Sequence, residues 1–350
     1  MLEWLRDPLT GAAFEVDPGA GTIDDDIREG RLTTIDGRTS YPIENRIPRF
    51  VRSADADQLQ VQESFAFKWQ QRATYESAAM QDHTRQFLVD RYGFESADAM
   101  DAFFAGRRRV LDAGCGSGFS AALWLGDRWR AGRAQWVGVD ISRAVDLAQD
   151  RLESFPRMHF VQADLAAMPF APATFDTIFS EGVLHHTPST EKAVKALAGL
   201  LAPGGELLFY VYRRKAPIRE FADDHIRRAI SGLAPAKAWA ALRSLTALGQ
   251  ALAELKAEVE IPADIPYLGI RAGRHDVQRL VYWHFVKAFW HPALDFEANN
   301  HVNFDWYHPA YAHRHTEDEI RGWCEDAGLS ITRFDDRHES GFTVRAIRAH

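Results

Sequence analysis

The sequence predicts an α/β fold in which helices cover both faces of a largely parallel sheet. Three observations support this class: five apolar, strand-like segments alternate with helical stretches, a long and mostly helical stretch interrupts the alternation, and one helix and two strands then resume it. Such alternation is typical of parallel sheets with crossover connections. We therefore expect one sheet, preceded by a small β-rich module and interrupted by a helical insertion after its fifth strand.

The core strands are short, apolar segments, and they define the part of the chain at 106–212. They are RRVLDAG (108–114), AQWVGVD (134–140), HFVQAD (159–164), FDTIFSE (175–181) and GELLFYVY (205–212). Residues 313–350 complete this core, because TEDEIRGWCEDAG has helical spacing and LSITRFDD and GFTVRAIR look like strands.

Between these two parts, residues 213–312 form the predicted helical insertion. Five apolar residues in it are spaced for one helix face. They are Leu242, Leu245, Leu252, Leu255 and Val259. We expect this face either to close over a site or to pair with a second subunit in a homodimer.

The first 52 residues read as short strands and turns, because Pro and Gly punctuate them and helical periodicity is missing. The opening DPLTG and the closing YPIENRIPRFV resemble the small zinc-ribbon-like domain of tRNA methyltransferase activators. In that domain the opening carries cysteines, whereas Asp7 and Thr10 stand at those places here. We expect a structural module without metal.

Bulk composition argues against several classes of function. The formal charge of −8 gives no basic footprint for nucleic acid. Cys115 and Cys324 alone make neither a disulfide framework nor a four-ligand zinc site. The start of the chain does not look like a signal peptide, and the sequence has no apolar run long enough for a membrane span. We expect a cytoplasmic protein, and its Arg-rich, Ala-rich composition suggests a bacterial source.

The strongest motif is VLDAGCGSGFS at 110–120, where a buried strand runs into Gly114, Gly116 and Gly118. Glycines are needed where a ligand touches the backbone and where the turn requires torsions that side chains disfavour. Asp140 ends the following strand, where a carboxylate can accept both hydroxyls of a ribose. A glycine triad alone is weak, since dinucleotide enzymes have similar loops.

Further strand ends carry VQADLAAMPF and FDTIFSEGVLHH. With these segments, residues Val110 to Tyr212 resemble class I S-adenosylmethionine-dependent methyltransferases of the ubiquinone and menaquinone type. HTEDEIRGW extends the resemblance loosely toward the end of the chain. The resemblance implies a Rossmann-like class I methyltransferase sheet and S-adenosyl-L-methionine as the cofactor.

The resemblance also assigns roles to residues at the strand ends. Asp112 would hold the amino end of the methionine moiety, Asp164 would meet the adenine amino group, and Glu181 would shape the pocket or contact the methionine. The helices expected at 53–105 would form a lid over the cofactor, and their aromatic residues favour a sulfonium through cation–π attraction. The predicted cofactor-binding residues are Phe65, Trp69, Asp112, Gly114, Cys115, Gly116, Gly118, Asp140, Ile141, Asp164, Leu165 and Glu181.

Methyl transfer needs orientation and exclusion of water more than it needs catalytic side chains. Where the acceptor is a hydroxyl or an ammonium, a general base helps, and histidine suits neutral pH. We therefore predict His185 and His186, which follow the fourth strand, as catalytic candidates. The alternative is that one of the pair only packs or caps the next helix.

The acceptor should bind against the insertion, because the core strands are committed to the cofactor. Aromatic and histidine-rich stretches at 281–291 and 301–316 suit a small molecule that is flat or apolar and has a polar handle. Predicted substrate-binding residues are Tyr210, Tyr212, Arg213, Trp283, His284, Trp306, Tyr307 and His308. A metal site at His301, His308, His313 and His315 is disfavoured, since their spacing is not that of usual ligands.

A small-molecule methyltransferase is therefore the main interpretation, with neither nucleic acid nor a membrane as partner. Two alternatives remain open. One is a methyltransferase acting on RNA or protein, which the first module suggests. The other is a repurposed S-adenosylmethionine-binding enzyme that transfers a different group, because an intact cofactor site does not fix the group that moves.

Overall fold

The computed structural model describes residues 1–17, 21–23, 26–51 and 56–349. The boundary predicted between residues 52 and 53 lies outside these residues. The strands are β1 (Phe14–Val16), β2 (Gly21–Ile23), β3 (Asp26–Thr34), β4 (Ser40–Glu44), β5 (Ile47–Pro48), β6 (Arg109–Ala113), β7 (Gln135–Asp140), β8 (Met158–Gln162), β9 (Phe175–Ser180), β10 (Leu201–Tyr212), β11 (Glu258–Ile261), β12 (Gly273–Asp276), β13 (Leu329–Asp335) and β14 (Gly341–Arg348).

The helices form three groups, which precede the main sheet, alternate with its strands, or belong to the insertion. They are α1 (Ala56–Gln70), α2 (Ala78–Tyr92), α3 (Ala97–Ala105), α4 (Phe119–Ala122), α5 (Asp127–Ala131), α6 (Ala144–Leu152), α7 (Thr190–Leu200), α8 (Pro217–Ile230), α9 (Pro235–Glu254), α10 (Val277–His284), α11 (Phe296–Tyr307) and α12 (Glu317–Asp326). None of the described helices is both long enough and apolar enough to cross a bilayer.

The main sheet has seven strands in the order β13-β14-β10-β9-β6-β7-β8. The five strands predicted from the sequence run parallel, and β14 pairs antiparallel with both β10 and β13. This is the Rossmann-like class I methyltransferase sheet, so the predicted fold class is confirmed. Strand order reverses between β6 and β9, and in open α/β sheets ligands collect at such a switch point, outside the carboxyl ends of the strands.

Polar caps fix where the helices of this core begin. Ser189 accepts a hydrogen bond from the Lys192 backbone and starts α7. Thr316 and Glu319 form a reciprocal capping box at the start of α12. These two helices pack on each other and help to cover one face of the sheet.

The first module is a five-stranded antiparallel sheet that joins the main sheet directly. The backbone NH of Phe50 donates to the carbonyl of Gln162 at 2.8 Å, so the module lies along the edge strand β8. Its apolar residues, such as Trp4 and Phe14, belong to the same hydrophobic cluster as Val137 of the main sheet. The module is therefore β-rich as predicted, and its relation to zinc ribbons stays a prediction.

The insertion is helical as predicted, but it also contains a hairpin formed by β11 and β12. The predicted helix face is wrong beyond Leu252, because α9 ends at Glu254 and Val259 lies in β11. Leu242 is buried in the insertion's own core, whereas Leu255 is 62% exposed. The homodimer suggested from this face stays a prediction.

Candidate functional site

The glycine loop after β6 has the backbone geometry that the sequence predicts. Gly114, Gly116 and Gly118 all have positive φ, at 87°, 53° and 73°. A Cβ on Gly114 would lie 2.3 Å from a methyl group of Val183, and one on Gly116 would lie 2.6 Å from the Trp69 ring. Glycine is therefore required here for both torsion and space.

A cavity of about 220 Å³ opens beside this loop, at the carboxyl ends of the parallel strands, and we call it the strand-end cavity. Nine of the predicted cofactor-binding residues line it. They are Phe65, Trp69, Gly114, Cys115, Asp140, Ile141, Asp164, Leu165 and Glu181. Asp112, Gly116 and Gly118 do not line it. Gly116 lies next to the ring of Trp69, which does.

Asp140 ties the glycine loop to the next strand. One carboxylate oxygen accepts the backbone NH of Gly116 at 2.9 Å, and the other accepts the backbone NH and the hydroxyl of Ser142 at 2.8 and 2.6 Å. Burial raises the pKa of Asp140, and the hydrogen bonds from Ser142 and Gly116 oppose that rise. The oxygen that faces Gly116 keeps acceptor capacity toward the cavity, since a carboxylate oxygen has two lone pairs.

Asp164 connects the sheet to the first lid helix. Its carboxylate accepts the backbone NH of Ala166 at 2.8 Å and the side-chain amide of Gln58, in α1, also at 2.8 Å. The predicted adenine-edge acid is thus in contact with the helix predicted to close the site.

Glu181 is held in place from behind by α2. One carboxylate oxygen accepts from the Arg91 guanidinium at 2.6 Å, and the other accepts the Tyr92 hydroxyl at 2.7 Å. The Arg91 guanidinium also lies 3.5 Å from the centre of the Tyr210 ring. These two hydrogen bonds fix the Glu181 carboxylate at the wall of the cavity. Tyr210 is buried against the same Arg91 side chain.

Asp112 lies deeper than its predicted role requires. It is 2% exposed, and one of its carboxylate oxygens has no hydrogen-bond partner. Burial, followed by the charge of Asp140, raises the pKa of Asp112 to about 7. A direct contact between Asp112 and a ligand in the strand-end cavity stays a prediction, because this residue does not line it.

Lys68 of α1 and Asp305 of α11 also line the cavity, and the sequence reasoning missed both. The Lys68 ammonium donates to the Asp305 carboxylate, which also accepts the Tyr212 hydroxyl at 3.1 Å. Burial alone would raise the pKa of Asp305, but the charge of Lys68 holds it below its ordinary value. An isolated charge inside an aromatic stretch, as in FAFKWQ and NFDWYH, is the signal that could have identified them.

The two predicted catalytic histidines have different surroundings. His186 lines the cavity, its Nδ1 lies 2.6 Å from the carbonyl oxygen of Tyr311, and its Nε2 has no partner. A carbonyl only accepts, so Nδ1 carries the proton and Nε2 presents a lone pair. Burial lowers the pKa of His186 to about 4. His185 does not line the cavity, is fully buried, and stacks on Tyr212 with ring centres 3.6 Å apart.

The predicted substrate-binding residues lie outside the wall of this cavity. Trp306 and Tyr307 donate to Asp223 inside the insertion, at 2.9 and 2.7 Å. His308 contacts the Ser64 hydroxyl at 2.8 Å, which makes it a bridge between α1 and the insertion.

Three of the remaining residues contact other parts of the chain. Arg213 forms a β-bridge with His315, Trp283 lies beside Lys215, and His284 Nδ1 lies 3.2 Å from the carbonyl oxygen of Leu268. Their aromatic and histidine character therefore serves packing in the structure, and a direct role in substrate binding stays a prediction for all eight.

The charges of the strand-end cavity suit a cationic ligand. Asp140 and Asp164 face it and form no ion pair with any described residue, whereas Glu181 is paired with Arg91 and Lys68 with Asp305. The glycine loop leaves room for a ligand close to the backbone, and the carboxylates can interact with a cationic ligand. Both features agree with the sulfonium nucleoside that the sequence predicts. Among the described residues, no group of three or more His, Cys, Asp or Glu side chains could hold a metal ion.

Comparison with known proteins agrees with the geometry of the core. Residues 111–209 match a family model described as a methyltransferase domain. An uncharacterized Synechococcus protein is 31% identical over 238 residues, covering 66% of this chain and 49% of that protein.

Two further relatives carry enzyme names. A malonyl-[acyl-carrier protein] O-methyltransferase of Enterobacter lignolyticus is 39% identical over 116 residues, or 33% of this chain and 43% of the relative. A tRNA U34 carboxymethyltransferase of Pseudoalteromonas atlantica is 36% identical over 104 residues, or 29% of this chain and 31% of the relative. The chain thus spans less than half the length of these curated relatives.

The predictions of a methyltransferase domain and of its cofactor class are confirmed. The chain contains an S-adenosylmethionine-dependent methyltransferase domain of the class I fold.

Proposed function

We propose that the chain transfers a methyl group from S-adenosylmethionine to a small-molecule acceptor through an oxygen, nitrogen or carbon nucleophile. The observation that carries this proposal is the strand-end cavity, which is lined by the glycine loop, three acidic strand ends and His186, whose Nε2 has no hydrogen-bond partner. An aromatic or apolar acceptor with a polar handle agrees with the aromatic character of the surrounding helices.

The cofactor would be held by residues at successive strand ends. Asp140 would accept the ribose hydroxyls, Asp164 would meet the adenine edge, and Glu181 would face the methionine end, with the more deeply buried carboxyl of Asp112 behind the loop. When bound, the sulfonium supplies an activated methyl group that needs no further activation by the protein. Phe65 and Trp69 of α1 would cover the site and keep water out.

His186 is the better candidate for a general base. Its Nε2 can take the proton that an acceptor hydroxyl or ammonium loses, because the contact with Tyr311 keeps the other ring nitrogen protonated. The lowered pKa keeps the ring neutral at pH 7, so the lone pair is available. His185 would act as a packing partner of Tyr212 and would orient its neighbour.

A transfer assay with methyl-labelled S-adenosylmethionine tests this proposal. A cell extract separated into small molecules, RNA and protein would serve as the acceptor source, and we expect label in the small-molecule fraction. The mass of the labelled product should rise by one methylene group. The proposal fails if the wild-type chain binds S-adenosylmethionine but labels only RNA or protein.

A second candidate acts on RNA, and the similarity to a tRNA U34 carboxymethyltransferase favours it. This similarity removes support for the prediction that nucleic acid is not a partner. It also keeps open the transfer of a carboxymethyl group, which product mass would reveal. Filter binding with bulk RNA at several salt concentrations separates this candidate, because phosphate contacts produce a salt slope.

Two finer assignments belong to the main proposal. The ubiquinone and menaquinone type of methyltransferase agrees with the sequence from Val110 to Tyr212, and it would place the acceptor among apolar ring compounds. A cytoplasmic location would suit an enzyme with two free cysteines, both buried.

A further inference from the structure

Two lysines of the insertion, one buried along its whole length and one buried at its ammonium, have no hydrogen-bonded carboxylate partner among the described residues. Lys287 is 6% exposed, and its ammonium lies 4.2 Å from the centre of the Trp306 ring. The Lys215 ammonium is buried, has no hydrogen-bond partner, and lies 5.2 Å from the centre of the Trp283 ring. Neither lysine forms an ion pair with any described residue.

A third cation, Arg219, lies close to both lysines and is 0% exposed. Its Nε donates to Asp223 at 2.8 Å, its Nη1 donates to the carbonyl of Tyr282, and its Nη2 is buried without a partner. The guanidinium lies 5.7 Å from the centre of the Trp306 ring, the ring that also contacts Lys287. The three cations therefore surround one aromatic region of the insertion.

The nearby carboxylates are already committed to other partners. Asp223 accepts from Arg219, the Trp306 indole, the Tyr307 hydroxyl and the backbone NH of Lys287. Asp305 is paired with Lys68. Glu339 influences Lys215 electrostatically, but it is an exposed residue and forms no ion pair with it.

Buried charges are costly unless they are paired and hydrogen-bonded. Asp223 is hydrogen-bonded to Arg219 and acts electrostatically on Lys287, as does Asp305, which is already paired with Lys68. The carboxylate that acts on Lys215 is that of the exposed Glu339. Burial, followed by the positive charge of Arg219, lowers the pKa of Lys215 to about 7, and burial lowers that of Lys287 to about 7. Each lysine would regain its ordinary charge if an anion supplied the missing partner.

We infer that Lys215, Arg219 and Lys287 form a subsite for an oxyanion, a carboxylate or phosphate group carried by the acceptor. Asp305 lines the strand-end cavity and acts electrostatically on Lys287, so the subsite adjoins the wall that Asp305 forms. The polar group that we expect on the otherwise apolar acceptor is thus an acidic group. This assignment of the anion to the acceptor rests on the proposed function, whereas the anion subsite itself does not.

Acetate and inorganic phosphate are the probes that test the subsite. Thermal unfolding of the whole chain would be followed with each anion, and chloride would keep the ionic strength constant. We expect at least one of the two anions to raise the melting temperature with saturation, and the effective anion identifies the handle as carboxylate or phosphate. If neither anion acts, the subsite is overturned.

Lys287→Met is the decisive variant, and Lys237→Met, at an exposed lysine of α9, is its matched control. The methionine removes an unpaired buried charge, so the variant should fold with a melting temperature in chloride at least equal to that of the wild type. Its apparent affinity for the effective anion should fall about tenfold or more, because a charged hydrogen-bond partner is lost. An unchanged anion response in Lys287→Met overturns the subsite.

Two readouts separate failure of this inference from failure of the proposed function. Binding of S-adenosylhomocysteine, measured in the same samples by calorimetry, reports on the proposed function alone. The effective anion should inhibit labelling of the small-molecule fraction without changing that binding, and Lys287→Met should relieve the inhibition. Absence of inhibition overturns the acceptor assignment, whereas absence of nucleoside binding overturns the proposed function.

Discussion

Lys68 and Asp305 form an ion pair across the wall of the strand-end cavity, although they lie 237 residues apart in the chain. The pair joins α1, which covers the site, to α11 of the insertion. Side-chain exposure is 12% for Lys68 and 24% for Asp305, so solvent screens the pair only partly. The covering helix and the insertion are therefore coupled electrostatically at the place where ligands would bind.

Removing one partner of this pair should destabilise the protein. Lys68→Met or Asp305→Asn each leaves a mostly buried group without its partner, and we expect a loss of about 3 kcal/mol in the free energy of unfolding. The double variant should lose less than the sum of the two. Urea unfolding measures all three, and Lys195→Met, in an exposed pair on α7, should change stability little. Strict additivity would contradict the coupling.

Asp140 should be important for cofactor affinity. Asp140→Ala removes an acceptor from the cavity and leaves Gly116 and Ser142 without their partner, so we expect S-adenosylmethionine binding to weaken by about 1–3 kcal/mol. Isothermal titration calorimetry measures the change. The control is Asp150→Ala, which removes an exposed acid from α6. Equal affinities of the wild type and Asp140→Ala for S-adenosylmethionine would contradict the assignment of Asp140 to the cofactor site.

His186 should be a neutral imidazole with its proton on Nδ1 throughout the neutral range. Nitrogen NMR of labelled histidine reports the tautomer directly, and His186→Asn identifies the signal. The same variant should lower turnover while the affinity for S-adenosylhomocysteine stays unchanged. A proton on Nε2 would rule out the base that we propose.

Acid should destabilise the protein partly through His301. Burial lowers the pKa of His301 to about 3, below the value of about 6.5 expected in the unfolded chain. Between these values the unfolded chain binds more protons, so stability falls as the pH drops through this window. His301→Gln should remove up to roughly 4 kcal/mol of that pH dependence. Urea unfolding at pH 7 and pH 4 tests this, and parallel curves for wild type and variant would refute it.

The first module should be stable without metal. At the places where the resembling domain has cysteines, Thr10 donates to Asp7 at 2.6 Å, and the Tyr41 hydroxyl donates to Asp7 at 2.7 Å. A chelator should therefore leave the melting temperature unchanged, whereas Asp7→Ala should cost about 1–3 kcal/mol by leaving buried donors unsatisfied. A chelator-induced drop in melting temperature would show that a metal contributes.

The sequence predicts those parts of the site whose backbone conformation depends on one short segment. Positive φ at Gly114 and the position of Asp140 at a strand end follow from a local motif, and both were predicted. Lys68 and Asp305 were not, because their meeting depends on how two distant helices pack. Richness in aromatic residues predicted burial around Trp306, but it did not indicate that the indole donates to Asp223 or that Trp306 does not line the cavity.

The contact between Phe50 and Gln162 has a consequence for solubility. An outermost strand with unpaired backbone groups is a template on which another copy of the chain can add a strand. The first module satisfies one such group at the end of β8, because Phe50 donates to the Gln162 carbonyl and Arg49 forms a β-bridge with Gln162. We therefore expect the module to hinder self-association at this border of the main sheet, independently of any part in recognition.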